Sequence, residues 1–311
     1  MDILLCGSFD DNERDAWLAE LQRALPQARW HLSATAENAG LITAAVVANP
    51  PEGLLQGLPN LRLIQSLWAG VDRLLSDPSL PDVPVARMVD PTMSAAMAET
   101  ALWATLSLHR GFYLYARQQL ARDWRQLPQR RADEIQVTLL GMGQMGRACA
   151  QRLVAQGYRV SGWKLRDGGV AEGVALAHGM DALWPLLARS DFVINLLPLT
   201  PQTGDLLDRR FFEALRPGAG LVNLARGGHL VEADLLQALE CGQVGHAVLD
   251  VFRSEPLPAE HPFWKHPQVT VLPHIAAATD MRSAARIVAA NLQALRDGEP
   301  LHDLVERSRG Y

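Results

Sequence analysis

Residues 136–146 read Gln136-Val137-Thr138-Leu139-Leu140-Gly141-Met142-Gly143-Gln144-Met145-Gly146, an apolar run that leads directly into three spaced glycines. The run predicts a buried strand, and residues 147–156 predict a helix after the turn. In such a unit the first glycine allows a tight turn, the second lets the backbone approach a pyrophosphate, and the third lets helix and strand pack closely. The helix N-terminus would offer free N–H groups to the phosphates. We therefore predict that residues 141–146 bind a dinucleotide; a tight turn without a ligand is the alternative.

Strand-like and helix-like segments alternate on both sides of this unit. We predict six strands in the second part of the chain, at residues 136–140, 158–162, 192–197, 220–224, 246–251 and 269–272. Four more are predicted in the first third, at residues 2–6, 43–48, 61–65 and 84–88. Because alternation of this kind implies parallel sheets, the predicted fold class is α/β with two doubly wound parallel-sheet domains.

The order of the segments predicts how the domains are divided. A long helical stretch covers residues 92–120, a basic, turn-rich segment follows at 122–131, and a last helix covers 281–295. If the last helix returns to the first domain, residues 1–91 plus 279–311 form a substrate domain and residues 92–278 form the cofactor domain. A cleft between two domains is a favoured place for a ligand.

Composition narrows the classes of protein. The chain has 311 residues, of which 48% are hydrophobic and 20% charged, as expected for a globular protein. The formal net charge of −5 gives no electrostatic reason to expect nucleic acid. The N-terminus lacks a secretory pattern, and the most apolar helical stretch contains ionisable residues, so neither secretion nor a membrane span is expected. The three cysteines lack metal-ligand spacing, so we expect no metal and a cytoplasmic protein.

The end of the second cofactor-domain strand indicates which dinucleotide is bound. An NAD site usually has an acidic residue there, to bind the ribose 2′-hydroxyl. Here the strand ends in Trp163-Lys164-Leu165-Arg166, with no carboxylate among the four. Lys164 and Arg166 would suit a 2′-phosphate, because charged hydrogen bonds are the strong ones. We therefore predict NADP(H) in preference to NAD(H), with contacts from Trp163, Lys164 and Arg166, although ordinary solvated cations would look the same.

Polar residues follow three later strands at the point where each strand ends. Arg226 follows 220–224, Glu255 comes shortly after 246–251, and His274 follows 269–272. Ligands of open α/β sheets bind beyond the carboxyl ends of the strands. A guanidinium can hold a 2-keto acid by its carboxylate and keto oxygen, and a histidine can supply a proton near neutral pH. We predict that Arg226 binds substrate, that His274 is the acid and that Glu255 stabilises its charged form.

A loop after a first-domain strand has a sequence suited to an anion. It reads Ser66-Leu67-Trp68-Ala69-Gly70-Val71-Asp72, and its small residues let backbone N–H groups approach a carboxylate. We predict that Ala69, Gly70 and Val71 hold the substrate carboxylate and that Trp68 lines the pocket. A packed strand-to-helix turn is the alternative.

Together these motifs resemble the D-2-hydroxyacid dehydrogenases, and within them the short bacterial glyoxylate/hydroxypyruvate reductases of the A type. The resemblance covers nearly the whole chain and rests on the motifs 68–72, 141–146, 194–198, 223–227, 249–258 and 273–277 and on the ending 309–311. It implies a Rossmann-like cofactor domain inserted into a flavodoxin-like substrate domain. It also implies that Arg226, Glu255 and His274 bind and convert the substrate.

The resemblance further implies that NADPH reduces glyoxylate to glycolate and hydroxypyruvate to D-glycerate. It also implies a homodimer joined through the cofactor domains, with residues 92–131 as the dimerisation arm. Besides Arg226 and His274, cofactor contacts are expected at Leu197, Pro198, Ala225 and Asp250. One departure is Leu67-Trp68, which is bulkier than in many relatives and leaves the side chain of the keto acid open.

Three alternatives remain from the sequence. A formate- or phosphite-type dehydrogenase would keep the cofactor chemistry, but the formate enzymes of this family have glutamine where Glu255 stands. A corepressor-like protein that senses NAD(H) could keep the same trio, although the chain has no evident peptide-docking surface or disordered tail. The third alternative is a dehydrogenase for another 2-hydroxy acid.

Overall fold

The computed structural model describes residues 1–166 and 173–311 and divides the chain into two compact units. The first unit comprises Met1–Met93 and Thr279–Tyr311, and the second comprises Ser94–Ala278. In chain order the regular elements are β1 (Asp2–Gly7), α1 (Asp11–Ala24), β2 (Arg29–His31), β3 (Ile42–Ala48), β4 (Leu63–Ser66), α2 (Asp72–Leu75), β5 (Val85–Ala86), α3 (Pro91–Arg110), α4 (Phe112–Ala121), β6 (Gln136–Leu140), α5 (Gln144–Ala155), β7 (Arg159–Lys164), β8 (Ala175–His178), α6 (Gly179–Leu187), β9 (Phe192–Asn195), α7 (Arg209–Ala214), β10 (Ala219–Asn223), α8 (Glu232–Glu240), β11 (Val244–Leu249), β12 (Val269–Val271) and α9 (Met281–Asp297).

The first unit is built on a parallel sheet of flavodoxin-like order, β2-β1-β3-β4-β5. Its central strands are continuous apolar runs, because both faces of a parallel sheet are covered. Helices α1 and α9 pack together, and Trp17 and Leu21 of α1 are buried. The sequence prediction of four strands here was wrong, because β2 is a three-residue edge strand with little apolar patterning.

The second unit contains a parallel sheet of order β12-β11-β10-β9-β6-β7-β8. From β6 the chain adds β7 and β8 on one side of the sheet, then returns to add β9, β10, β11 and β12 on the other side. The strand order therefore reverses between β6 and β9, as in a Rossmann fold. The predicted six strands are present, and a seventh, β8, was missed. Its sequence Ala-Leu-Ala-His has low strand propensity and lies at the sheet edge, so sequence alone gave little signal.

The predicted continuous helix over residues 92–120 is interrupted. Helix α3 ends at Arg110, and Gly111 adopts a φ of 67° before α4 begins at Phe112. This left-handed conformation is one that glycine adopts readily and that terminates a helix. Among the described residues, no helix is both long and apolar enough to cross a membrane.

One buried histidine lies in the sheet of the second unit. His246 in β11 is 3% exposed and stacks on Tyr113 of α4, with ring centroids 3.7 Å apart. Its Nε2 lies 2.9 Å from Thr270 Oγ1. Burial, together with the positive charge of Arg117 and of His266 when protonated, lowers the pKa of His246 to about 4.

This depressed pKa predicts a loss of stability in acid. Since the unfolded chain binds the proton at a higher pH than the folded chain, the stability due to neutral His246 is lost as pH falls from about 6.5 to about 4. Urea unfolding should show that His246→Gln loses about 2 kcal/mol less stability than the native chain between pH 7 and pH 4.5. His302→Gln, at an exposed side chain, should behave like the native chain. Equal losses in all three proteins would contradict the assignment.

Candidate active site

The turn after β6 requires glycine at two positions. Gly141 has a φ of 97°, and a Cβ there would lie 2.7 Å from the carbonyl oxygen of Leu196. A Cβ on Gly146 would collide with the carbonyl oxygen of Gly141, at the start of the same turn. Both glycines are therefore fixed by the close packing of strand, turn and helix.

The second glycine of the motif faces open space instead. A Cβ on Gly143 would meet no atom within 4 Å. Gly143 is the N-cap of α5, where the described residues provide no side-chain cap and the first turn has no acidic residue. The N–H groups at this end are thus available to an anion, which fits the pyrophosphate of a dinucleotide. Gln144 is exposed there, Met145 is half-buried, and Met142 is buried against Gly162.

At the end of β7, only some of the predicted cofactor residues can present a side chain. Trp163 is fully buried in the core, and its Nε1 donates to Gly179 O at 2.8 Å. Its side chain therefore stabilises the strand end from inside. Lys164 is half-buried and Arg166 is exposed, so these two cations remain as the candidate ligands of a 2′-phosphate.

The structure places the predicted trio after three neighbouring strands. Arg226 follows β10, Glu255 follows β11, and His274 follows β12. The β10 and β11 loops are in close contact, because a Cβ on Gly227 would overlap the backbone of Phe252. The same Phe252 donates its N–H to Glu255 Oε1 at 2.8 Å. Direct packing thus connects the loop of Arg226 to Glu255.

His274 and Glu255 form a hydrogen-bonded pair. Nδ1 of His274 lies 2.8 Å from Oε2 of Glu255. A carboxylate only accepts, so Nδ1 carries the proton, and Nε2 on the other side of the ring is left for a substrate. The His274 side chain is 52% exposed and that of Glu255 is 35% exposed. The imidazole is therefore partly open to solvent while the carboxylate orients the ring.

Asp250 holds the backbone that presents His274. Its carboxylate accepts from the N–H groups of Ile275 at 2.7 Å and Ala276 at 3.0 Å. His274 itself adopts a φ of 55°, and its N–H donates to Asp250 O at 2.9 Å. Thr100 of α3 adds a hydrogen bond to Ala276 O. Burial raises the pKa of Asp250, and the two N–H donors oppose that shift.

Two buried asparagines that the sequence did not assign fix the loops after β9 and β10. Asn195 and Asn223 are paired in register, and Asn195 Nδ2 donates to Asn223 Oδ1 at 3.0 Å. Their oxygens also accept from the N–H groups of Leu197 and Ala225. Asn223 Nδ2 donates to Arg226 O at 3.1 Å. The available signal was an asparagine inside each of two predicted strands, 192–197 and 220–224.

These contacts define the surroundings of the remaining predicted cofactor residues. Leu197 and Ala225 are buried, whereas Pro198 and Arg226 are half-buried. The backbone of Arg226 is extended, and its side-chain Nη1 donates to Ala225 O at 2.7 Å.

In the first unit, the predicted substrate loop presents free backbone donors. The N–H groups of Ala69, Gly70 and Val71 make no hydrogen bond to any residue that the structure describes. Ser66 Oγ accepts from Trp68 N at 3.0 Å, and the half-buried Trp68 ring packs edge-on against Trp17, with centroids 6.3 Å apart. The loop is thus held firmly, with Ala69 and Gly70 half-buried and Val71 buried. Small residues such as Ala69 and Gly70 allow an anion to approach the backbone closely.

A Rossmann-type unit with a glycine turn and a carboxylate-paired histidine defines the chain as an NAD(P)-dependent oxidoreductase. Residues 102–276 match the family model described as D-isomer specific 2-hydroxyacid dehydrogenase, NAD binding domain. The chain is also 40% identical over 317 residues to glyoxylate/hydroxypyruvate reductase A of Serratia proteamaculans (strain 568), with both chains fully covered. It belongs to the D-isomer specific 2-hydroxyacid dehydrogenase family.

Two solved structures show the same fold over the whole chain. A D-isomer specific 2-hydroxyacid dehydrogenase from Xanthobacter autotrophicus Py2, in complex with NADPH and MES, matches with a TM-score of 0.94 and 36% identity, over 100% of this chain and 99% of that one. An NADPH-dependent glyoxylate/hydroxypyruvate reductase from Sinorhizobium meliloti, in complex with NADP and sulfate, matches with a TM-score of 0.93 and 34% identity, over the same shares.

Proposed function

We propose that the protein uses NADPH to reduce small 2-keto acids, converting glyoxylate to glycolate and hydroxypyruvate to D-glycerate. The observation that carries the proposal is the hydrogen bond of 2.8 Å between His274 Nδ1 and Glu255 Oε2, on loops beside that of Arg226. The glutamate favours keto-acid reduction over a formate-type reaction. The activities named for the Serratia and Sinorhizobium relatives support the same substrate class.

In this proposal the chain supplies a proton donor and an anion site. NADPH, when bound, supplies the hydride that adds to the carbonyl carbon. His274 donates a proton from Nε2 to the carbonyl oxygen, which completes the hydroxyl group, and Glu255 stabilises the imidazolium before the transfer. In the reverse direction, the neutral ring accepts the hydroxyl proton of the 2-hydroxy acid.

Binding and orientation are assigned to Arg226 and to the loop of the first unit. The guanidinium of Arg226 provides parallel donors for the carboxylate and the keto oxygen. The unengaged N–H groups of Ala69, Gly70 and Val71 supply further donors for the carboxylate. Trp68 lines the space for the substrate side chain, so this loop selects among keto acids.

A substrate screen tests the function directly. NADPH oxidation would be followed with purified protein and glyoxylate, hydroxypyruvate and bulkier 2-keto acids. Turnover with the two small acids is expected. NADPH binding without turnover on any acid would overturn the proposal and would favour the cofactor-sensing alternative.

The cofactor preference gives a second test, on Lys164 and Arg166. We propose that these cations bind the 2′-phosphate, as the NADP(H)-bound relatives lead us to expect. The double variant Lys164→Met/Arg166→Met should lower the ratio of kcat/KM for NADPH to that for NADH about tenfold to a hundredfold, because charged hydrogen bonds are lost. Arg159→Met, at the opposite end of β7, should leave the ratio unchanged. An unchanged ratio in the double variant would remove both residues from the site.

We also propose a cytoplasmic homodimer joined through the second unit, with residues 92–131 as the arm. Large apolar side chains on this segment are exposed, as expected for a surface that a second copy covers. They are Trp103, Phe112, Leu120 and Trp124, with Trp124 96% exposed.

The arm predicts a change of mass in solution. Trp103→Glu/Trp124→Glu should shift the protein from dimer to monomer in sedimentation velocity, because each charge would be buried without a partner. Leu41→Glu, at an exposed leucine of the first unit, should leave the dimer intact. A native chain that sediments as a monomer, or a double variant that stays dimeric, would refute this interface.

A further inference from the structure

A buried histidine connects two loops that the proposed function assigns to different ligands. His229 follows Arg226 by three residues, in a 3₁₀ turn over Gly227–His229, and is 0% exposed. Its Nδ1 lies 3.2 Å from Arg226 O, and its Nε2 lies 3.2 Å from Pro198 O. One ring thus contacts the loop after β10 through one nitrogen and the loop after β9 through the other.

The two contacts complete a ring of hydrogen bonds with the asparagine pair. Asn195 accepts from the backbone just before Pro198 and donates to Asn223, which in turn donates to Arg226 O. His229 closes the circuit from Arg226 O back to Pro198 O. Buried polar groups are stable only when they are hydrogen-bonded. If one member of the network is lost, its neighbours are left unpaired, because water does not take the place of the missing partner.

The two nitrogens of the His229 imidazole contact two different carbonyl oxygens. A carbonyl oxygen only accepts, so each contact is a hydrogen bond when the facing nitrogen carries a proton. Asn223 also donates to Arg226 O, and Thr203 Oγ1 donates to Pro198 O at 2.7 Å. A neutral imidazole carries one N–H, so both contacts are hydrogen bonds together only when both nitrogens of His229 carry protons. In that form each carbonyl receives two donors, which fixes its direction more tightly than one donor would.

We propose that His229 is a positioning residue that sets the loop of Arg226 against the loop of Pro198. The inference rests on the proposed function, which gives Arg226 to the keto acid, and on the contact between Pro198 and NADPH that the resemblance implies. Nδ1 controls the affinity for the acid through the backbone of Arg226. Nε2 controls the affinity for NADPH through the backbone of Pro198.

Two amide variants separate these tasks. In His229→Asn the amide nitrogen occupies the place of Nδ1, so the contact to Arg226 O is kept and that to Pro198 O is lost. In His229→Gln the amide nitrogen occupies the place of Nε2, with the opposite result. His229→Leu removes both contacts and keeps the volume approximately.

The measurements are KM for glyoxylate and Kd for NADPH from nucleotide fluorescence. Each lost contact should raise the matching constant about tenfold to a hundredfold, the range for a hydrogen bond from a charged donor. His229→Asn should therefore weaken NADPH binding only, His229→Gln should raise KM for glyoxylate only, and His229→Leu should do both. His246→Gln, at a buried histidine that contacts neither loop, should change neither constant.

Equal effects of the asparagine and glutamine variants on both constants would overturn the inference, because a merely structural histidine would lose affinity without this division. Native constants in all three variants would also overturn it. If His229→Leu does not fold, the comparison of the two amide variants still decides. If the native protein reduces no keto acid, the proposed function fails, and the NADPH affinities alone then test the contact to Pro198: weaker binding by the asparagine variant only supports it, and equal affinities refute it.

Discussion

Replacement of His274 is expected to lower kcat about 10²- to 10⁴-fold, the usual contribution of a positioned general acid, while the affinity for NADPH is unchanged. His274 is the group whose Nε2 faces away from Glu255, so no other side chain of the pair can deliver the proton. Steady-state kinetics with glyoxylate and a fluorescence titration with NADPH would measure the two quantities.

The backbone of His274 decides which substitution is most informative. Its φ of 55° lies in the left-handed region, where asparagine is tolerated better than other residues with a side chain. His274→Asn therefore removes the acid with the least strain on the loop that Asp250 holds. His274→Ala should show the same loss of kcat, with some loss of stability.

A substitution of Glu255 tests the other half of the pair. Glu255→Gln keeps the shape of the pair and removes the charge, so kcat should fall about tenfold to a hundredfold, the value of one charged hydrogen bond. A His274→Asn variant that keeps more than a tenth of native kcat, against this expectation of a general acid, would refute the assignment.

Patterns in the sequence predicted the parts of the fold that are long and apolar. The central strands of both sheets read as runs of Val, Leu and Ile because they are covered on both faces. Strands β2 and β8 were missed because edge strands need less apolar sequence. The break at Gly111 was missed because the apolar pattern continues across it and only the φ of 67° marks the turn.

The candidate site was predictable where chemistry follows a strand end. Arg226 and His274 come directly after apolar runs, and the structure places them after neighbouring strands. The buried asparagines and His229 were not assigned, because they act on the backbone of other residues and their partners are distant in sequence. Trp163 was predicted as a cofactor contact because it precedes Lys164 and Arg166, but its side chain lies in the core.

Substitutions of Arg226 distinguish bidentate hydrogen bonding of the keto acid by the guanidinium from attraction by its charge alone. Arg226→Met removes every donor, and kcat/KM for glyoxylate should fall about 10²- to 10⁴-fold, the sum of two charged hydrogen bonds. Arg226→Lys keeps the charge but loses the bidentate geometry, so a fall of about tenfold to a hundredfold is expected. In both variants the Kd for NADPH should rise far less than kcat/KM for glyoxylate falls, because the bidentate contacts that are lost are those to the keto acid.

A second arginine of the same unit, Arg209, tests whether this loss is specific. Arg209 is an exposed residue at the start of α7 that pairs with Asp234, and Arg209→Met should leave kcat/KM unchanged. We expect kcat/KM for glyoxylate to fall in the order native, lysine variant, methionine variant. A point charge attracts a carboxylate but does not fix the keto group for hydride addition. If the lysine and methionine variants are equally impaired, charge contributes little. If the lysine variant equals the native chain, Arg226 binds by charge alone and the bidentate assignment is wrong.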